Sequence, residues 1–162
     1  MTDEVDRIVA AWSRERPDLD VAPLGVLSRV SRLARHLDLA RRTAFERHTL
    51  ELWEFDVLAA LRRAGEPYQL SPGALVTQTL VTSGTMTNRI DRLEARGLVE
   101  RGPAPDDRRG VLVRLTPSGR ARVDAALGDL LDVERQLLTA LPEADRARLA
   151  ELLRVVVAPF DA

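Results

Sequence analysis

The stretch Thr82-Ser83-Gly84-Thr85-Met86-Thr87-Asn88-Arg89-Ile90-Asp91-Arg92-Leu93-Glu94-Ala95-Arg96-Gly97 decides how this chain is read. Met86, Ile90 and Leu93 recur at helical spacing and make one apolar face, which anchors the helix. Ser83, Thr85, Thr87 and Asn88 place short polar groups early in the same helix, with Arg89 and Arg92 following. Thr82 or Ser83 caps its start, and Gly97 ends it. Small hydroxyls and an amide suit base edges, and guanidinium groups suit phosphates and guanine. Taken by itself, the stretch is equally an ordinary amphipathic surface helix.

Its neighbours favour the first reading. Upstream, Ser71-Pro72 is a helix start with Ser as cap and Pro at the first helical position, and a short helix runs to about Gln78. A turn near Leu80-Val81 joins the two into a helix-turn-helix. Downstream, Leu98 to Arg101 and Val111 to Leu115 are β-like runs, and residues 102–110 between them are rich in turn formers and charge. The pattern predicts a hairpin with a protruding loop, whose Arg108 and Arg109 are placed for a minor groove. A solvated loop with incidental charge is the plainer alternative.

Further out the chain reads as helices. Asp3 to about Arg16 forms the first, with Thr2 as cap and Pro17 closing it; Val5, Ile8, Val9 and Trp12 make its apolar stripe. A longer helix runs from about Pro23 to Arg47, with Val30, Leu33, Leu37, Ala40 and Ala44 forming a seam that seeks a partner. Thr49 caps a third helix over 50–64, and Gly65 stands where its C-terminal residue should. Thr116 caps a long helix from Pro117 to about Thr139, and a last helix starts near Leu141-Pro142-Glu143. The expected division is N-terminal helices over 1–48, a winged helix-turn-helix lobe over 49–116, and C-terminal helices over 117–162. The terminal helices carry more apolar surface than so small a domain buries alone, so a homodimer is expected.

Composition narrows the class. The 162 residues are 45% hydrophobic and 30% charged, a folded composition. No apolar run approaches the roughly 18 residues of a membrane span, and the N-terminus is unlike a signal peptide, so the cytoplasm is the expected compartment. There is no cysteine, which excludes disulfides, thiolate metal sites and cysteine catalysis. His36 and His48 lack metal-ligand spacing. No catalytic triad order or phosphate-cradling glycine loop is present, and Gly97, Gly102, Gly110 and Gly119 fall where turns need them. Neither an enzyme nor a cofactor is expected. All 24 basic residues apart from histidine are arginine. Residues 71–122 hold nine of them against five acids, whereas 123–162 hold four against eight, so one phosphate-facing surface lies mid-chain.

With both motifs joined, the chain resembles the multiple-antibiotic-resistance regulator (MarR) family. The run Thr87 to Val99 is similar to that family's recognition helix entering its first wing strand, and Asp107-Arg108-Arg109 through Gly119 resembles its wing signature. The resemblance spans essentially the whole chain. It implies a mainly α fold with a small β-hairpin wing, a homodimer joined through the N- and C-terminal helices, and double-stranded DNA as partner. Each protomer would set one helix in the major groove of a pseudo-palindrome.

The chain also resembles the urate-responsive subfamily, which carries an extra N-terminal helix with a tryptophan. An aspartate and an arginine seven apart, and an arginine in the recognition helix, complete that pattern. Trp12, Asp56, Arg63 and Arg89 fill the four positions. The resemblance implies a small anionic aromatic effector, a urate-like purine, with an indole for its ring and a guanidinium fork for its charge. The alternatives are a phenolic acid or antibiotic-like ligand as effector, or no small-molecule effector. Each residue has a plainer use: Trp12 as core packing, Asp56 and Arg63 in ordinary ion pairs, Arg89 on phosphate. Trp53 is a rival aromatic, with the core as its expected place.

Overall fold

Local capping chemistry and one central apolar helix account for most of the architecture. The computed structural model describes residues 2–104 and 107–160, without the side chains of 107–109. By internal contacts the chain divides into two compact units, residues 1–43 and 44–162.

The first unit holds α1 (Glu4–Glu15) and most of α2 (Ala22–Glu46). Asp3, rather than Thr2, caps α1. Its carboxylate accepts from the Asp6 amide at 2.9 Å while the Asp6 carboxylate accepts from the Asp3 amide at 2.9 Å, a reciprocal capping box. Arg29 of α2 donates to both acids, through Nε to Asp3 at 2.9 Å and through Nη2 to Asp6 at 2.7 Å. Val5 is buried, whereas Trp12 on the same stripe is 49% exposed.

The second unit is built on α3 (Leu52–Arg63). Residues 57–61 are all buried, so this stretch of α3 is apolar all round and lies in the core. Phe55 stacks on Phe45 from the end of α2, with ring centroids 4.0 Å apart. The predicted cap at Thr49 is not the one found. Thr49 has φ +53°, its amide donates to the Glu46 carbonyl, and the Leu50 amide reaches back to Phe45. That is a Schellman ending of α2, with Phe45 and Leu50 buried as its apolar pair. Glu51 is the residue at the N-cap of α3.

Strand β1 (Gln69–Leu70) leads to α4 (Pro72–Thr79), capped by Ser71 as expected. Leu80 takes φ +53° to turn the chain, and Thr82 caps α5 (Ser83–Ala95). Gly97 at φ +65° ends α5 in a second Schellman arrangement, with the Leu98 amide bonded to the Leu93 carbonyl. Strands β2 (Val99–Ala104) and β3 (Asp107–Leu115) then form the wing. Most of the expected loop over 102–110 is strand: pairing continues through Pro103↔Val111 to Ala104↔Asp107, with a register shift beside Pro103. A proline without an N–H is tolerated at such an irregularity. β3 is central in the sheet order β1-β3-β2, and both pairings are antiparallel.

Thr116 caps α6 (Pro117–Leu137), which is followed by α7 (Glu143–Val157) and a 3-10 turn (Ala158–Phe160). Gly119 serves no turn, contrary to expectation, because it lies inside α6. A β-carbon there would stand 2.1 Å from the Leu98 carbonyl oxygen, so close packing of α6 against the start of the wing requires the glycine. α7 buries none of its side chains, and Leu127, Leu131, Leu152 and Val156 are at least 41% exposed. No helix among the described residues is long and apolar enough to cross a membrane.

Candidate nucleic-acid interface

Helix α5 has two faces, as its sequence predicts. Met86, Ile90 and Leu93 are buried in the core against α3 and α4, while Ser83, Thr85, Thr87 and Asn88 are exposed. The start of the helix is set by Thr82, whose hydroxyl accepts from the Thr85 amide at 3.3 Å and lies 2.9 Å from the Thr85 hydroxyl. Thr87 donates to the Ser83 carbonyl at 3.1 Å, and Asn88 stands beside it on the exposed face. Such a surface offers donors and acceptors of the size that fits a major groove.

Arg89 and Arg92 share the side of α5 that carries Thr85 and Asn88, and meet the first turn of α3. Arg89 and Arg92 both stand over the Trp53 ring, with guanidinium carbons 5.4 and 4.7 Å from its centroid. Glu51 joins them: one carboxylate oxygen accepts from the Trp53 indole N–H at 2.7 Å and the other from Arg92 Nη2 at 2.7 Å. The indole hydrogen bond first, and then Arg92, hold the Glu51 carboxyl below its ordinary value despite partial desolvation. One turn on, Arg96 bonds the Thr49 carbonyl at 2.6 Å and the carboxylate of Glu54, which is fully buried. Glu54 also accepts from the Glu51 amide at 2.9 Å. Trp53 thus faces Arg89 and Arg92, Glu51 binds Arg92 and Glu54 binds Arg96, tying α5 to the start of α3. Beside this grip is a cleft of about 580 Å³ lined by Trp53, Gly84, Thr85, Asn88, Arg89 and Arg92.

The sequence offers Trp53 as core or as a rival aromatic for the effector, not as a partner of the α5 arginines, and gives no place to Glu51 and Glu54. A glutamate beside a tryptophan at a helix start is a usable signal for the first two. For Glu54 the signal is an acid lying among buried apolar positions.

The wing is tied to α5 by Arg101 of β2. Its guanidinium bonds Asp91 and Glu94, and its amide donates to Glu94 at 3.0 Å. Burial disfavours the charge, but these acids outweigh it and raise the Arg101 pKa. Across the strands, Arg114 Nε donates to Glu100 at 2.7 Å. The side chains of Arg108 and Arg109 lie outside the described residues.

Of the four effector candidates, Asp56 and Arg63 lie on α3, half-buried and exposed respectively, and Arg89 is half-buried on α5. Trp12 belongs to the other unit. His48 Nε2 lies 3.1 Å from Asp129 Oδ2, bracing the end of α2 against α6.

Comparison with known proteins agrees with this geometry. The model of the MarR family matches residues 48–110. The regulator PecS of Dickeya dadantii, an HTH-type transcriptional regulator, is 39% identical over 150 residues, covering 93% of this chain and 90% of its own. A solved structure of a mutant MarR from Escherichia coli complexed with operator DNA is 28% identical, with a TM-score of 0.69, covering 96% of this chain and 99% of that one. BpsR of Bordetella bronchiseptica, studied for regulation of its DNA binding by 6-hydroxynicotinic acid, is 32% identical, with a TM-score of 0.60 over 78% of this chain and 91% of its own. The identity to PecS along nearly the full length of both chains, on a winged helix-turn-helix fold, makes this protein a member of the MarR family of DNA-binding transcriptional regulators.

Proposed function

We propose that the protein is a homodimeric cytoplasmic repressor that binds a pseudo-palindromic operator and releases it when a urate-like purine anion binds. The supporting observation is α5, with its apolar face in the core and Ser83, Thr85, Thr87 and Asn88 exposed. In this reading these four residues meet base edges, Arg89 and Arg92 meet phosphate, and Arg108 and Arg109 enter the minor groove from the wing. Residues 49–116 form the DNA-binding lobe. Residues 1–48 and 117–162 join two copies, which would cover the exposed leucines and valines of α2, α6 and α7.

For the effector, Trp12 supplies an aromatic surface and Arg63 a bidentate fork. Asp56 and Arg89 couple occupancy to the recognition helix, at about 1–3 kcal/mol. The half-exposure of Trp12 favours a binding role over core packing. A second reading, an aromatic carboxylic or phenolic acid as effector, is favoured by the likeness to BpsR, whose DNA binding is regulated by 6-hydroxynicotinic acid.

The test is to titrate urate, xanthine, salicylate and 6-hydroxynicotinate into the complex of the full-length protein with a duplex selected from a randomised pool. Urate should dissociate it, and Trp12→Phe or Arg63→Ala should blunt the response while leaving DNA binding. Full sensitivity in both variants would refute the site. Response to salicylate or 6-hydroxynicotinate at lower concentration than urate would select the second reading.

A further inference from the structure

We infer that Glu51, oriented by Trp53, is an intramolecular competitor for DNA phosphate: it occupies Arg92 in the free protein and so lowers the affinity for any duplex whose phosphate takes Arg92. This rests on the proposed DNA-binding role of α5. Three observations carry it. Glu51 presents one oxygen to Arg92 Nη2 at 2.7 Å, as a phosphate oxygen would. Its other oxygen is fixed by the indole N–H at 2.7 Å, so the carboxylate stays aimed. Both partners remain open, Arg92 at 54% and Glu51 at 57% side-chain exposure, so a phosphate can reach the guanidinium without unfolding anything.

An exposed pair of this kind is weak, and it is exchanged for phosphate when the rest of the interface fits. Where the fit is poor the carboxylate keeps the arginine, and the duplex gains nothing from it. Trp53 serves as the shelf on which Arg92, and Arg89 beside it, rest between the two states. Glu51 and Trp53 are therefore positioning residues that set affinity, lying at the start of a helix other than the one proposed to read DNA.

The test uses full-length protein and two labelled 30-base-pair duplexes, one of mixed sequence and one selected from a randomised pool. Anisotropy is followed between about 50 and 200 mM salt. Glu51→Gln should tighten binding to the selected duplex about two- to fivefold, tighten the mixed duplex by no more than that, and steepen the mixed-duplex salt slope by up to about one as Arg92 becomes free to meet phosphate. In an Arg92→Ala background the Glu51→Gln gain should vanish. Unchanged or weaker binding by Glu51→Gln, in protein whose circular dichroism melt matches the parent, would overturn the inference. So would a gain that persists without Arg92. If the parent binds neither duplex, the DNA-binding reading itself falls and takes this inference with it.

Discussion

Replacing Glu54 with alanine tests the grip between α3 and α5 at its only fully buried charge among the described residues. The substitution removes the carboxylate from Arg96 and the acceptor from the Glu51 amide. Stranding one member of a buried pair costs about 3–5 kcal/mol when the survivor cannot reach water. Here Arg96 is 34% exposed and keeps the Thr49 carbonyl, so part of that cost is recovered. Adding the lost cap contact, the expected total is about 2–4 kcal/mol. For a chain of this length that lowers Tm by roughly 5–12 °C. Urea unfolding at one fixed protomer concentration gives the free energy directly, since dimer stability depends on concentration. Arg96→Ala alone should cost at least as much, because the survivor is then the fully buried Glu54 with the Glu51 amide as its remaining partner, and the double variant should cost well below the sum of the two. Glu54→Gln, which keeps the shape and the cap acceptor, should lie between parent and alanine. A loss below about 0.5 kcal/mol for Glu54→Ala, or strictly additive single variants, would refute the reasoning.

Two further outcomes follow from the packing and the charges. Gly119→Ala should destabilise by about 1–3 kcal/mol, measured by thermal melting, because its β-carbon meets the Leu98 carbonyl and backbone has to move. In α1, each aspartate of the capping box accepts from the other's backbone amide and then from Arg29, and this holds Asp3 and Asp6 below the ordinary aspartate value. A depressed folded pKa means their contribution is fully present above the ordinary aspartate range and is lost as pH falls through the lowered values. Carboxyl titration by NMR should show both titrating low, and Arg29→Ala should bring both upward; ordinary values in the parent would contradict the pairing.

Legibility in the sequence divides along a physical line. Elements fixed by neighbours along the chain were readable: Ser71-Pro72 before α4, Thr82 before α5, Gly97 after it and Thr116 before α6 each place a cap or turn within a few residues of its partner. Thr49 misled because a threonine before an apolar run looks like an N-cap. Its conformation is set by the end of the preceding helix, where Phe45 and Leu50 close a Schellman motif. The hairpin itself is legible, but its sequence assigns residues 102–110 to a loop because Gly102, Pro103 and Gly110 are turn formers, and pairing between β2 and β3 outweighs that preference. The grip on α5 was invisible for a different reason. Glu54 and Arg96 are 42 residues apart and Glu51 and Arg92 are 41 apart, so no periodicity links them. The exposed face of α5 is the opposite case, since its polar and apolar positions alternate within a single helix.

Selection of a binding site from a randomised duplex pool by the full-length protein, followed by anisotropy on the winning and mixed sequences, tests the central claim most directly. The account predicts a pseudo-palindrome bound at least about 10³-fold more tightly than mixed DNA. Its affinity should fall steeply with salt, and Asn88→Ala should lose about 1–3 kcal/mol of sequence discrimination. No enrichment, or equal affinity for both duplexes, would contradict it.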